Sequence, residues 1–502
     1  MTLLDLPPEL LLRVSAFLTT NELGKFRLTS KNIEAVLFDS FSREFFTKKQ
    51  FMLEQVSLQA LIDISNHPTL ASRLSEVVIS THVFPSDPEI ISLSGKAMYK
   101  VGHVNHDVLM ASGQAIQMLA EGFSRLPNLR TVGLRDYNAS GRYRDGEFAT
   151  WKSWGWSFGW EGLPNYDADN LHSQRGLRTI SPEPVLPILF YALGQAKVVP
   201  ESIHVFLRKR SKLTQQSFNM LDGYLGEKVR PVLGNMKELM LAIGNDTTPY
   251  YYHRTITPTK SENVGNLPLA RLLQRTPKLE TLRLNFESSQ PFASGFLDWL
   301  GSPVSSSHVL STDPAANSVA LPQLTALELG MLTVPATTLL KVLTKFDLES
   351  FSLWKVKIHA SSASEPEDCW QALLQDLAIA LKQKTSLKSV LIGFPSQLHC
   401  GREPFDIEDV CYFKPVGASE QNMPVGEEDM SRMTQEAKHH AGPGTIMAEW
   451  LEELSKRTYV PPPEDDVLSL HSDEDGQDDG EGEDEDNDDD DDDDDDDEDD
   501  DN

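Results

Sequence analysis

The sequence predicts an α/β chain in which three short helices precede an irregular helix–strand array and an acidic tail that cannot fold. Three observations carry this. Apolar residues recur at helical spacing in three short runs between residues 6 and 37, and an aliphatic Leu-x-x-Leu-x-Leu pattern returns seven times between residues 70 and 395. Residues 464–502 hold 27 Asp and Glu and no Lys or Arg. At 502 residues the chain exceeds the size at which one core stops growing, so several domains or a repeat array are expected. The formal charge of −31 belongs to the tail, since the remainder carries 49 acids against 45 bases, a net of −4. No stretch clusters Lys and Arg densely enough for a phosphate backbone, so nucleic acid is not an expected partner.

At the N-terminus, Leu6-Pro7-Pro8-Glu9 opens a helix, because proline is tolerated in the first turn and Glu9 complements the positive dipole end. Leu10, Val14, Phe17 and Leu18 then form one apolar stripe, widened by Leu11. Thr20 or Asn21 is expected to cap a second helix carrying Leu23 and Phe26, and Ser30 a third carrying Ile33, Val36 and Leu37. Three such helices bury little area among themselves and need a partner surface. The bland alternative is a helical hairpin that caps the domain behind it.

These residues carry a family resemblance. Leu6-Pro7-x-Glu9-Leu10-x-x-x-Val14-x-x-x-Leu18, followed by Glu22-Leu23-x-x-Phe26-x-Leu28-x-Ser30-Lys31, resembles the F-box, with Ile33 where many F-boxes have Trp. The resemblance assigns residues 1–50 to that module and implies binding to the Skp-type adaptor, and through it a cullin, of a ubiquitin ligase. Leu6, Pro7, Glu9, Leu10, Val14, Leu18, Leu23, Phe26 and Leu28 are the adaptor-binding residues it implies.

Residues 51–395 read as a leucine-rich-repeat-like body. The pattern occurs at Leu74-x-x-Val77-x-Ile79, Leu129-x-x-Val132-x-Leu134, Met236-x-x-Leu239-x-Leu241 and Leu279-x-x-Leu282-x-Leu284. It returns at Leu324-x-x-Leu327-x-Leu329, Leu348-x-x-Phe351-x-Leu353 and Leu387-x-x-Val390-x-Ile392, with a weaker form at Ile203-x-Val205-x-Leu207. The last two apolar positions alternate as a strand with one buried face requires. Helical runs over Leu267–Leu273, Thr337–Leu343 and Trp370–Leu381 precede several of them. Uneven spacing implies insertions; an ordinary α/β domain with Leu-rich strands is the alternative. F-box followed by such repeats resembles an architecture whose repeats bind the ubiquitination target. On that reading the exposed strand positions, Arg130, Arg135, Glu280, Arg283, Asn285, Glu349, Ser352 and Trp354, are candidates, of which Arg135, Arg283, Asn285 and Trp354 are taken as the target-binding set.

Residues 136–170 interrupt the array with Arg142, Arg144 and Asp145 and with Trp151, Trp154, Trp156 and Trp160, half of the chain's eight Trp. Such an insertion either folds over one end of the array or presents aromatic and Arg anchors to a partner. Its surroundings resemble uncharacterised F-box proteins of filamentous fungi. Residues 396–463 read as a partly ordered extension with a last helix near Met447–Leu454. Residues 464–502, with unbroken Asp from 488 to 497, repel themselves and lack apolar residues, so the tail is expected to be disordered. It either keeps the protein soluble or attracts a basic protein.

The chemistry is expected to be that of binding, without catalytic residues, metal or cofactor. No P-loop or His-Glu-x-x-His sequence is present, and Cys369, Cys400 and Cys411 lack Cys-x-x-Cys spacing. The N-terminus lacks a basic, apolar leader and no apolar run approaches ~20 residues, so the expected location is intracellular, in cytoplasm or nucleus, without a membrane contact. The expected function is that of a substrate receptor in a Skp–cullin–F-box ligase. The alternative is a non-enzymatic scaffold or chaperone that binds a basic partner through the tail.

Overall fold

Pro7 precedes the first helix in extended conformation and Pro8 occupies its first position, so α1 spans Pro8–Ala16 with no side-chain cap. Thr19 caps α2, Thr20–Leu28: its Oγ1 accepts from the Glu22 amide while the Glu22 carboxylate accepts from the Thr19 amide. The cap is thus one residue earlier than expected, which makes Thr20 the first helical residue. Ser30 caps α3 as expected, and α3 continues over Lys31–Phe46, well past Leu37, because Phe45 and Phe46 add buried apolar surface. The computed structural model describes residues 6–84, 93–146, 149–151, 153–154, 178–209, 212–244, 264, 267–286, 291–304, 318–359, 368–382, 384, 386–398, 408–416, 432–442 and 446–461. The acidic tail, Trp156, Trp160 and Cys400 therefore lie outside the described residues.

Behind α3 the chain enters a parallel sheet. Its strands are β1 Lys48–Met52, β2 Glu76–Ser80, β3 Thr131–Arg135, β4 Ser202–Phe206, β5 Glu238–Ile243, β6 Thr281–Phe286, β7 Ala326–Pro335, β8 Ser350–His359 and β9 Ser389–Gly393. They pair in chain order without a reversal. The middle apolar residue of each Leu-x-x-Leu-x-Leu run sits in one register across the sheet, Val77 beside Val132, then Leu239, Leu282, Leu327, Phe351 and Val390, with Ile203, the first residue of the weaker run, in the same register between Val132 and Leu239. Every apolar position of those runs is buried. A backbone motif repeats with them: the carbonyl before one strand accepts from two successive amides at the start of the next, as Lys237 does from Glu280 and Thr281, Glu280 from Thr325 and Ala326, and Thr325 from Glu349 and Ser350.

Helices cover the face those apolar residues share. They are α4 Gln55–Asn66, α5 Pro68–Arg73, α6 Leu93–Ala111, α7 Gln114–Ser124, α8 Val185–Ala196, α9 Gly226–Gly234, α10 Pro268–Leu273, α11 Pro291–Gly301, α12 Ala336–Lys345, α13 Cys369–Leu381 and α14 Met447–Arg457. Neighbours pack side by side, α4 on α7, α7 on α8, α8 on α9, α11 on α12, α12 on α13 and α13 on α14, so they form one layer. The apolar run at Val185 is α8, with Pro187 in its first turn where a missing amide costs nothing. The opposite sheet face is half-exposed over β6 and β8, whose burial alternates residue by residue except at Trp354–Lys355, where Lys355 takes a positive φ and breaks the alternation.

Segments from outside the parallel array pair with both of its end strands. At β1, Trp154 of the insertion bridges Phe51 and donates its amide to the Gln50 carbonyl at 2.8 Å, and the Gln50 amide group donates to the Ser153 hydroxyl. At β9, residues of the C-terminal extension form β10, Glu436–His440, paired antiparallel. α14 then packs Met447, Leu451 and Leu454 against α13. No helix of the described residues is long and apolar enough to cross a membrane.

Candidate functional site

The N-terminal helices divide their apolar residues between two faces. Leu11 and Leu23, 1% and 3% exposed, point inward with Ile33 and Leu37. Leu10, Leu12, Val14 and Phe17 of α1 and Leu28 of α2 point outward, with Phe17 and Leu28 each 88% exposed. The stripe Leu10–Val14–Phe17 is therefore the outward face of α1, and the core side is Leu11 and Ser15. Leu23, one of the residues the resemblance implies for adaptor binding, is enclosed in the chain's own core. Pro7 and Glu9 are exposed, while Leu6, Leu18 and Phe26 are half-buried, the last two against the core. Ile33, the departure from Trp, fills a wholly buried position.

Between α2 and α3 lies an open groove of about 1010 Å³, lined by Asn21, Gly24, Lys25, Leu28, Lys31 and Phe38 among others. Arg27 fixes its walls. The guanidinium lies 3.2 Å from the Phe41 ring centroid and donates twice to the Glu34 carboxylate, at 2.5 and 2.7 Å. Lys25 and Lys31 leave the rim basic.

The insertion grips this module. Arg144 Nη1 donates to the carbonyls of Ser15 (2.9 Å) and Leu18 (2.6 Å) at the C-terminal end of α1, and its Nε and Nη2 donate to the Glu44 carboxylate of α3, both at 2.6 Å. The Asp145 carboxylate accepts from the Thr20 amide (2.7 Å) and hydroxyl (2.5 Å) at the start of α2. A cation thus satisfies the orphan carbonyls at one helix end and an anion the orphan amides at the next, each favoured by the local dipole. Arg142 lies over the Phe45 ring at 4.1 Å. Arg142, Arg144 and Asp145 of the insertion thus all make intramolecular contacts with the N-terminal helices.

The half-exposed sheet face carries the other candidates. Arg135, at the end of β3, lies 5.6 Å from the Tyr137 centroid and 5.7 Å from Phe206, and Arg208 lies 3.8 Å from Tyr137. Arg283 approaches Phe206 from the far side at 5.8 Å and faces Glu328 at 3.4 Å. Asp136 is buried beneath this group, and its two oxygens accept the amides of Arg208 and Lys209. Asn285 and Trp354 lie flat in spaces left by glycine: a Cβ on Gly330 would meet the Asn285 Oδ1 at 2.5 Å, and one on Gly393 the Trp354 ring at 2.3 Å. The four expected residues thus divide: Arg135 and Arg283 join one cluster, while Asn285 and Trp354 pack along the sheet toward β9. Lower on the same face His204 meets Glu238 at 2.8 Å. Burial raises the Glu238 pKa, but hydrogen bonds from Ser202 and His204 outweigh it and hold the carboxyl below its ordinary range.

Sequence reasoning missed Tyr137, Phe206 and Arg208; the signal present was an aromatic or Arg at or just past the end of a patterned strand. It also passed over a Gly-x-Ser-x-Gly spacing at Gly155–Gly159, which falls outside the described residues. Among the described residues no group of three or more His, Cys, Asp or Glu is gathered to hold a metal.

No curated protein matches the chain. A family model does: the F-box domain model matches residues 3–40, the segment that forms α1, α2 and the first part of α3. F-box domains in general mediate Skp-type adaptor binding in the substrate receptors of Skp–cullin–F-box ligases, and this match, on a helical module with an outward apolar face, supports an F-box protein.

Proposed function

We propose that the chain is the substrate-receptor subunit of a Skp–cullin–F-box ubiquitin ligase, working inside the cell. The carrying observation is the outward apolar surface of Leu10, Val14, Phe17 and Leu28 on a segment that matches the F-box. Several large apolar residues exposed on a small helical module are the kind of surface that a protein partner covers. Leu6, Pro7, Glu9, Leu18 and Phe26 flank that surface and complete the adaptor contact. The body is an irregular leucine-rich-repeat array, a reading supported by the chain-order parallel strands, their shared register and the recurring paired-amide motif. Doubly wound sheets instead reverse strand order at a switch point. The open sheet face holds the protein target. The receptor performs no bond chemistry; it raises the concentration of a target lysine near the cullin-borne conjugating enzyme.

The test is co-purification of adaptor and cullin with the wild-type chain and with a Leu6→Ala, Pro7→Ala variant. Point variants are preferable to deleting the module, because Phe45 and Phe46 of α3 belong to the same core as the sheet and deletion would open it. Wild type is expected to bring down both partners and the variant markedly less. Capture by neither form overturns the proposal. A chain lacking residues 464–502 is expected to capture adaptor and target normally; loss of the main partner would favour the acidic-tail scaffold instead.

A further inference from the structure

We infer that the Arg135–Arg208–Arg283 cluster at the end of the open sheet face binds an acidic, carboxylate-rich segment of the target protein. The inference rests on the receptor reading and names the chemistry of what that receptor holds.

Three guanidiniums surround two aromatic rings at 3.8 to 5.8 Å. Stacking occupies the flat face of a guanidinium and leaves its N–H edges free, the edges that engage a carboxylate in bidentate fashion. Arg135 and Arg208 have no carboxylate partner among the described residues, and Arg283 has only the looser contact with Glu328 at 3.4 Å. Asp136, next to Arg135 in the sequence, is buried and spends both oxygens on the amides of Arg208 and Lys209, so it orients the turn that presents Arg208. Like charges gathered this way repel one another, and an anionic ligand relieves that repulsion. Tyr137 and Phe206 are half-buried, so the rings form a fixed platform. Three Arg on one patch are too few for a nucleic-acid backbone, whose affinity is built from many phosphate contacts, but suffice for two or three carboxylates on an extended peptide.

The experiment uses the purified full chain alone, so it succeeds or fails independently of adaptor capture. A fluorescein-labelled peptide of alternating Glu and Ser is titrated at low and physiological salt and read by fluorescence anisotropy. Peptides with Gln or Lys in place of Glu, and a Gln-Ser peptide bearing one phosphoserine, are compared. The Glu peptide is expected to bind with affinity that falls as salt rises, and the Gln and Lys peptides not to bind. Arg135→Gln with Arg208→Gln should weaken it about 10- to 100-fold, the loss of one or two charge-assisted hydrogen bonds. Arg135→Lys with Arg208→Lys should recover part of the loss, since a lysine keeps the charge without the fork. Arg230→Gln, on α9 and outside the cluster, should leave binding unchanged. Equal affinity of the double Gln variant and wild type, with thermal melts showing both folded, overturns the proposal, as does equal binding of the Gln peptide. Tighter binding of the phosphoserine peptide overturns the choice of carboxylate. If the peptide fails while adaptor and target are still captured, the receptor reading survives and this site does not.

Discussion

Replacing Phe17 and Leu28 by Ala is expected to weaken adaptor binding by about 10²–10⁴-fold, because burying each side chain at an interface is worth about 1.5–3 kcal/mol and every 1.4 kcal/mol is tenfold. Both side chains are 88% exposed in the isolated chain, so the folded protein loses almost nothing when they are truncated. The thermal midpoint should therefore stay close to wild type, as surface substitutions stay within about 0.5 kcal/mol. Leu11 and Leu23 give the opposite result. Each is enclosed, so Leu11→Ala or Leu23→Ala should cost about 2–5 kcal/mol of stability, and any loss of adaptor should track the unfolding. Calorimetry with purified adaptor, set beside thermal melts of all three variants, separates the two classes. If the Phe17 and Leu28 variant keeps wild-type affinity, the outward face of α1 and α2 is not the docking surface.

That division between outward and inward residues was only half legible in the sequence. Periodicity locates an apolar stripe on a helix but does not say whether the stripe faces a core or a partner; Leu10 and Leu11 are adjacent and both leucine, and only the packing of α1 on α3 separates them. The inward placing of Leu23 was open in the sequence for the same reason. The strands were far easier, since alternation with period two fixes both strand and buried face, and each patterned run became a strand of the sheet. β1 escaped because Lys48-Lys49-Gln50-Phe51-Met52 has no alternation: Gln50, Phe51 and Met52 are all buried, with Trp154 of the insertion laid along the strand's outer edge. The Arg cluster escaped for a different reason. Alternation placed Arg135 and Arg283 on the open face, yet Tyr137 and Arg208 lie past the strand ends, and their approach depends on the turn that Asp136 holds. Contacts between segments distant in sequence leave no local trace.

The Arg144 grip is the longest-range of these contacts and ties the N-terminal helices to the insertion. Arg144→Ala removes four hydrogen bonds, two to a carboxylate and two to helix-end carbonyls, from a side chain that is only 12% exposed. Deleting one partner of a buried ion pair costs about 3–5 kcal/mol; Glu44 is 30% exposed and can be rehydrated, so the cost belongs at or below the lower end, about 2–3 kcal/mol. The loss is local. α3 runs directly into β1 and stays attached through Phe45 and Phe46, whereas α1 and α2 touch the insertion through Arg144 and Asp145. Hydrogen exchange should accordingly speed up across α1 and α2 while the sheet amides stay protected. Arg144→Lys should not rescue, because one ammonium has three donors at a single point and cannot span two carbonyls and a bidentate carboxylate. Adaptor affinity should fall modestly, since a loosened surface must be ordered again on binding. On the proposed receptor role, ubiquitin transfer to a bound target should fall further, because the angle between docking module and sheet face would set how often a target lysine meets the conjugating enzyme. Unchanged exchange in α1 and α2 would mean that α3 alone orients the module, and the insertion would then serve only to cover the edge of β1.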